Sequence, residues 1–267
     1  MISKSDIAKK ALKLRQEYKI ESYGIKDIFN LIERMDIDLI RYPFGKDVLC
    51  GFATVYRGKK IIVSNTSEIL SREIYTIAHE LGHIIYDFNG NIQDLKIDID
   101  IDKLENNLIE KRANYFAACF LMPEILVEEF IKYELKKPYR QIEGLDIVRI
   151  QIEFNVSYST AVIRLHELGL ITEDHRKKLF NERRVYTSGK LFKMINADER
   201  LLKPTELIKV PSRYLEFVIS NYEKDYIPYS SFKKALELIG LDSEEFKKEV
   251  AAQEDEIDID ELFEEFE

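Results

Sequence analysis

The run His79-Glu80-Leu81-Gly82-His83 constrains the fold more than any other feature, because its two imidazoles can act together only if the chain is helical there. On an α-helix, positions four apart stand one turn above the other on the same face, about 5–6 Å between Cβ atoms. Two imidazoles so placed can close on one Zn²⁺ at about 2.0–2.1 Å each. Glu80 is offset by one position from the first histidine, so it stands beside such an ion rather than on it. That is where a base takes a proton from an attacking water, the arrangement of a metal-dependent peptide hydrolase. The chain has only four histidines and places two of them here. The blander reading is a pair of helical histidines hydrogen-bonded within a core.

The flanking residues predict the helix. Ile74, Ile77, Ala78, Leu81 and Ile85 recur at three- and four-residue spacing, the period of a buried helical face. Asn65, Thr66 and Ser67 are N-cap candidates upstream, and Asn89-Gly90 is a stop signal. Gly82 inside a helix costs about 1 kcal/mol relative to Ala. Its place in the motif predicts a close approach by another backbone or side chain.

A hydrolytic zinc takes three protein ligands and keeps a fourth position open. Asp87 lies four residues beyond His83 on the same face, but Asp87-Phe88-Asn89-Gly90 reads as a loop turning out of the helix. Glu110 is the better candidate. On a second helix it shares a face with Ala113, Asn114, Ala117 and Leu121, the apolar side. A carboxylate buried there needs a positive partner, either a metal ion or an inward-reaching Arg or Lys. Pro123 ends this helix.

Ile77-Ala78-His79-Glu80-Leu81-Gly82-His83, followed by Glu110 with Ala113-Asn114, Phe116-Ala117 and Leu121-Met122-Pro123, resembles the ImmA/IrrE family of zinc metallopeptidases. The resemblance covers residues 25–182. It implies a zincin-like domain in which His79, His83 and Glu110 bind zinc and Glu80 is the catalytic acid/base. It also implies a regulatory protein as substrate, typically a helix-turn-helix repressor or antitoxin whose cleavage releases transcription. One departure is visible: many members carry an acid directly before the Ala-Asn pair, where this chain has Arg112. No residue is assigned to stabilise the oxyanion; Tyr158 is one candidate.

At 267 residues the chain is long enough for one or two cores. No apolar run approaches the length of a membrane span, and the first residues lack a signal-peptide core, so a cytoplasmic enzyme is expected. Cys50 and Cys119 form no metal-spacing pattern and read as packed thiols. The net charge of −9 is uneven, with residues 191–267 carrying twice as many acids as bases.

The expected architecture is α+β. Residues 1–137 form the metallopeptidase domain, with helices over 3–19 and 25–32, a strand over 37–42, and a hairpin over 51–63 that turns at Arg57-Gly58. A sheet edge beside the metal helix could accept an extended substrate by main-chain hydrogen bonds. The alternating Ile97–Asp102 run is a short strand or an acidic entry to the Glu110 helix; it lacks the turn glycine of a calcium loop.

Residues 138–190 are a helix-turn-helix-like module, with a turn at Phe154-Asn155-Val156, a cap at Ser157 and a stop at Gly169. Its second helix mixes Arg164 with Glu167, which suits buttressing or partner docking better than phosphate contact. Arg176, Lys177, Lys178, Arg183 and Arg184 form the basic patch on which a DNA-binding reading rests. His166 and His175 read as ordinary helix residues. Residues 191–267 are a mostly helical acidic region. Two rival functions stand beside the peptidase: a zinc-containing regulator that binds without cutting, and a DNA-binding regulator with a structural zinc. The second requires a fourth ligand that the sequence does not offer.

Overall fold

The computed structural model describes residues 2–88, 96–98 (backbone only), 108–244 and 246. Among them are eleven α-helices and one four-stranded sheet, an α+β arrangement. Helix α1 (Lys4–Glu17) is capped by Ser3, which accepts from the Asp6 N–H, and buries Ile7, Ala11 and Arg15. Helix α2 (Ile28–Arg34) is capped by Asp27 in the same way. Strands β1 (Asp38–Tyr42), β2 (Gly51–Tyr56) and β3 (Lys59–Asn65) follow. Arg57 and Gly58 both take positive φ, +49° and +78°, as a two-residue hairpin turn demands. β3 pairs antiparallel with β2 and parallel with β1.

Helix α3 (Leu70–Tyr86) carries the histidine motif and packs on β2, β3 and helix α4. Its seat on the sheet is close. A Cβ on Gly51 would stand 2.7 Å from Cγ2 of Thr76 on α3. Strand β4 (Lys96–Asp98) adds antiparallel to β2, giving the order β1-β3-β2-β4. The rest of the Ile97–Asp102 run and the Asn89-Gly90 stop lie outside the described residues. Helix α4 (Leu108–Leu121) supplies Glu110. Pro123 both ends it and opens α5 (Glu124–Glu129), which runs into a π-helical turn, Phe130–Leu135.

The helix-turn-helix-like segment is α6 (Gly144–Phe154) and α7 (Tyr158–Glu167). Asn155 is left-handed at φ +53°, and Ser157 accepts from the Thr160 N–H. Helices α8 (Glu173–Val185) and α9 (Ser188–Met194) complete the packing, and one apolar cluster extends from Ile7 to Leu201. This compact unit runs to Leu207, and a second begins at Ile208. The second contains α10 (Ser212–Glu223) and α11 (Tyr229–Glu237) around Val218, Phe232 and Leu236, with Tyr222 stacked on Phe232. No helix among the described residues is long and apolar enough to cross a membrane.

One expectation fails at the start of α3. Asn65, Thr66 and Ser67 do not cap it. Its N-cap position is Ile69, with no side-chain bond, and the Leu70 N–H donates to the Lys203 carbonyl at 2.9 Å. The polar residues are used elsewhere. The Asn65 amide donates to the carbonyls of Gly45 and Leu49, and the Ser67 hydroxyl donates to Glu206.

Candidate metal centre

The ligand positions depend on how closely α3 and α4 lie. A Cβ on Gly82 would come within 3.1 Å of the Ala113 Cα and 3.2 Å of Cδ1 of Phe116, so the backbones meet at this glycine. The close approach expected at Gly82 is therefore made by α4 itself. Glu110 is one turn before Ala113, and the contact brings its carboxylate under the two imidazoles.

His79 Nε2 lies 3.0 Å from His83 Nε2 and 3.1 Å from Glu110 Oε2, and His83 Nε2 lies 3.3 Å from the same oxygen. Three ligands about 2.0–2.1 Å from one tetrahedral ion stand about 3.3 Å from each other. The observed triangle is slightly tighter and of the same form. All three side chains are buried. They are the one His/Cys/Asp/Glu group among the described residues whose donor atoms converge in this way.

The opposite nitrogen of each ring fixes what the triangle presents. His83 Nδ1 is 2.7 Å from Asp87 Oδ2, and an ionised carboxylate can only accept, so the proton is on Nδ1. His79 Nδ1 is 2.9 Å from Asn114 Oδ1, an oxygen that also accepts from the Tyr75 hydroxyl. With Nδ1 protonated, each Nε2 can offer a lone pair to a cation between the rings and Glu110, or carry a proton to that carboxylate in its place. Three electron-rich atoms held this close in a buried site favour a cation between them. The charge preferences of the side chains point the same way. Burial pulls the His83 pKa down, yet hydrogen bonding to Glu110 and Asp87 leaves it raised. Burial pushes the Glu110 carboxyl up, yet its hydrogen bonds to His79 and His83 hold it well below the usual carboxylate range.

A family model, the IrrE N-terminal-like domain of the M78 peptidases, matches residues 20–183. The chain belongs to this peptidase family. No curated protein matches it. The M78 match runs from before β1 to the end of α8 and includes the whole triangle and Glu80. The protein is thus a hydrolase of metallopeptidase type. The buried His79-His83-Glu110 set is a group that could hold its metal ion.

Glu80 is buried beside His79 on α3, as the spacing predicts. Tyr158 is not placed to stabilise an oxyanion. It is buried in the core, and its hydroxyl donates to the Leu179 carbonyl at 3.1 Å. Asp87 lies where the chain leaves the helix, as its loop reading has it: it is the C-cap residue of α3, and its side chain also faces the centre through His83. Asn114, Tyr75 and Arg112, which pairs with Asp87, also carry roles that sequence reasoning missed. The usable signal was spacing. Asp87 follows His83, and Asn114 follows Glu110, by one helical turn each. His166 and His175 lie outside the centre, the former 3.4 Å from Glu173 and the latter donating to the Ile142 carbonyl.

Proposed function

We propose that this chain is a zinc-dependent endopeptidase that cleaves a regulatory protein of the helix-turn-helix repressor or antitoxin kind. The observation that carries the zinc reading is the donor triangle itself, two imidazole nitrogens and one carboxylate oxygen at 3.0–3.3 Å. Bound by these residues, zinc would supply Lewis acidity, polarising the scissile carbonyl and lowering the pKa of water toward about 7. His79, His83 and Glu110 hold the site. Asn114 and Asp87 keep both rings in the tautomer that ligates. Glu80 takes the proton of the attacking water and delivers it to the leaving amine. The substrate class rests on the likeness to the ImmA/IrrE family.

The charge pattern of the helical module favours this reading over direct DNA binding. Arg164 is buried, donating to the Met122 carbonyl from Nε. Arg176 is paired with Glu173 at 2.7 Å, and Lys178 stands 3.7 Å from Glu182. Phosphate contact needs several unneutralised cations on one face.

The test uses Glu80→Gln, which keeps size and hydrogen-bonding shape but removes the base. The variant should bind one zinc per chain as wild type does. Its cleavage of the helix-turn-helix protein encoded nearest to it, followed by intact mass, should fall by about 10²–10⁴-fold. Wild-type cleavage by the variant would exclude Glu80 as the base. Purified protein that takes up no zinc would exclude the metal.

A further inference from the structure

Asp87 is a buried acid, and its partner Arg112 comes from the other ligand helix. The Asp87 side chain is 5 % exposed. Its Oδ2 faces His83 Nδ1 at 2.7 Å, while its Oδ1 is held by the guanidinium of Arg112. Arg112 follows Glu110 by two positions on α4, is 24 % exposed, and lies 5.3 Å over the Tyr86 ring. The two ligand helices are therefore tied twice around His83, by Glu110 at Nε2 and by Asp87-Arg112 at Nδ1.

The two histidines are served unequally. His79 leans on the neutral amide of Asn114 and His83 on a carboxylate. A carboxylate partner raises the basicity of the imidazole and fixes its plane. A buried carboxylate held without a counter-charge is costly and would turn toward water. Arg112 removes that cost and leaves one oxygen directed at the ring.

We infer that Arg112, acting through Asp87, is a positioning residue for His83 and so a determinant of metal affinity. This inference rests on the zinc reading proposed above. The geometry orders the effects: loss of Asp87 removes the ring's partner, whereas loss of Arg112 frees that partner to move.

The experiment measures zinc affinity of the full chain by competition with a chromogenic chelator, for wild type, Asp87→Asn, Arg112→Gln, Arg112→Lys and Glu110→Ala. Asp87→Asn should weaken binding by about 10–100-fold and Arg112→Gln by up to about tenfold, with Arg112→Lys restoring most of the loss. In zinc-loaded protein labelled with ¹⁵N-histidine, the His83 Nδ1–H signal should be sharp in wild type and Arg112→Lys and broadened in Arg112→Gln. A merely structural ion pair would lower thermal stability without moving that signal. Unchanged or tighter zinc binding in Arg112→Gln, with binding lost in Glu110→Ala, overturns the inference and leaves the zinc reading standing. Retention of zinc by Glu110→Ala, or no binding by wild type, overturns the ligand assignment and the inference with it.

Discussion

Gly82 is the residue on which the geometry of the centre turns. Alanine there is the better helix former by about 1 kcal/mol. Yet its Cβ would meet the Ala113 Cα at 3.1 Å, and backbone cannot step aside as a flexible side chain can. Overpacking of this kind costs about 1–3 kcal/mol, enough to cancel the propensity gain. Gly82→Ala should therefore lower the urea midpoint of the metal-free protein, and should weaken zinc retention because α4 and Glu110 are pushed from the imidazoles. A more stable variant with unaltered zinc affinity would show that the contact does not set the ligand spacing. At this scale the sequence was most legible where chemistry and periodicity agreed: four-residue spacing placed His79 over His83, and the apolar face of α4 exposed Glu110 as an anomaly. Asp87 does end the helix, as its turn-like context predicts, but that context hides its side chain's contact with His83. Its one-turn spacing from His83 was a signal for that contact, but its pairing with Arg112, 25 positions along the chain, is not displayed by a single sequence.

Helix α3 is seated at its other end by a buried ion pair. Glu73, in its first turn, accepts from Arg41 of β1 at 2.7 and 2.9 Å and from Ser64 of β3 at 2.9 Å. The Arg41 guanidinium also lies 3.6 Å from the Phe29 ring centroid. Breaking such a pair from one side leaves a buried charge and costs about 3–5 kcal/mol, whereas replacing both partners by apolar groups can be nearly neutral. Arg41→Met should therefore destabilise the protein strongly in urea unfolding, and Arg41→Met with Glu73→Met should recover most of the loss. Equal losses in the single and double variants would mean that the pair holds the fold by something other than charge compensation. The elements were legible where they bury one regular face, as α1, β1 and β2 do, whereas α3 is buried on all sides from Thr76 to Ile84. The helix start was not legible. Asn65 and Ser67 have the right chemistry for caps, but the Asn65 Oδ1 accepts instead from the Phe44 and Ser67 N–H groups and the Ser67 Oγ from the Gly45 N–H. The N-terminus of α3 is met instead by main chain from residue 203, a long-range partner with no local signature.

That long-range partner sets the outer limit of the catalytic unit. The family match stops at residue 183, but the packing of the first unit continues to Leu207. Leu191, Phe192 and Leu201 belong to its core. Beyond them, residues 203–207 lie along the approach to α3. Lys203 accepts from the Leu70 N–H, Pro204 bridges to Ile69, and the Thr205 and Glu206 N–H groups donate to the Thr66 carbonyl at 3.1 and 3.0 Å. The Thr66 hydroxyl returns a bond to the Leu207 carbonyl at 2.9 Å, and Thr205 Oγ1 accepts from Arg41 at the ion pair that seats α3. A chain ending at Lys209 keeps all of these bonds, and one ending at Leu202 loses them while retaining the three core residues. The first should unfold and bind zinc as the full chain does, because His79, His83, Glu110 and the bonds just described all belong to the unit that ends at Leu207. The second should be less stable by about 1–3 kcal/mol, the scale of a few lost hydrogen bonds whose partners were half-buried. Its zinc affinity should also fall, since the support lost lies at the base of the helix that carries His79 and His83. Urea unfolding and chelator competition on the two truncated chains decide it. If both behave alike, residues 203–207 support neither the fold nor the metal centre.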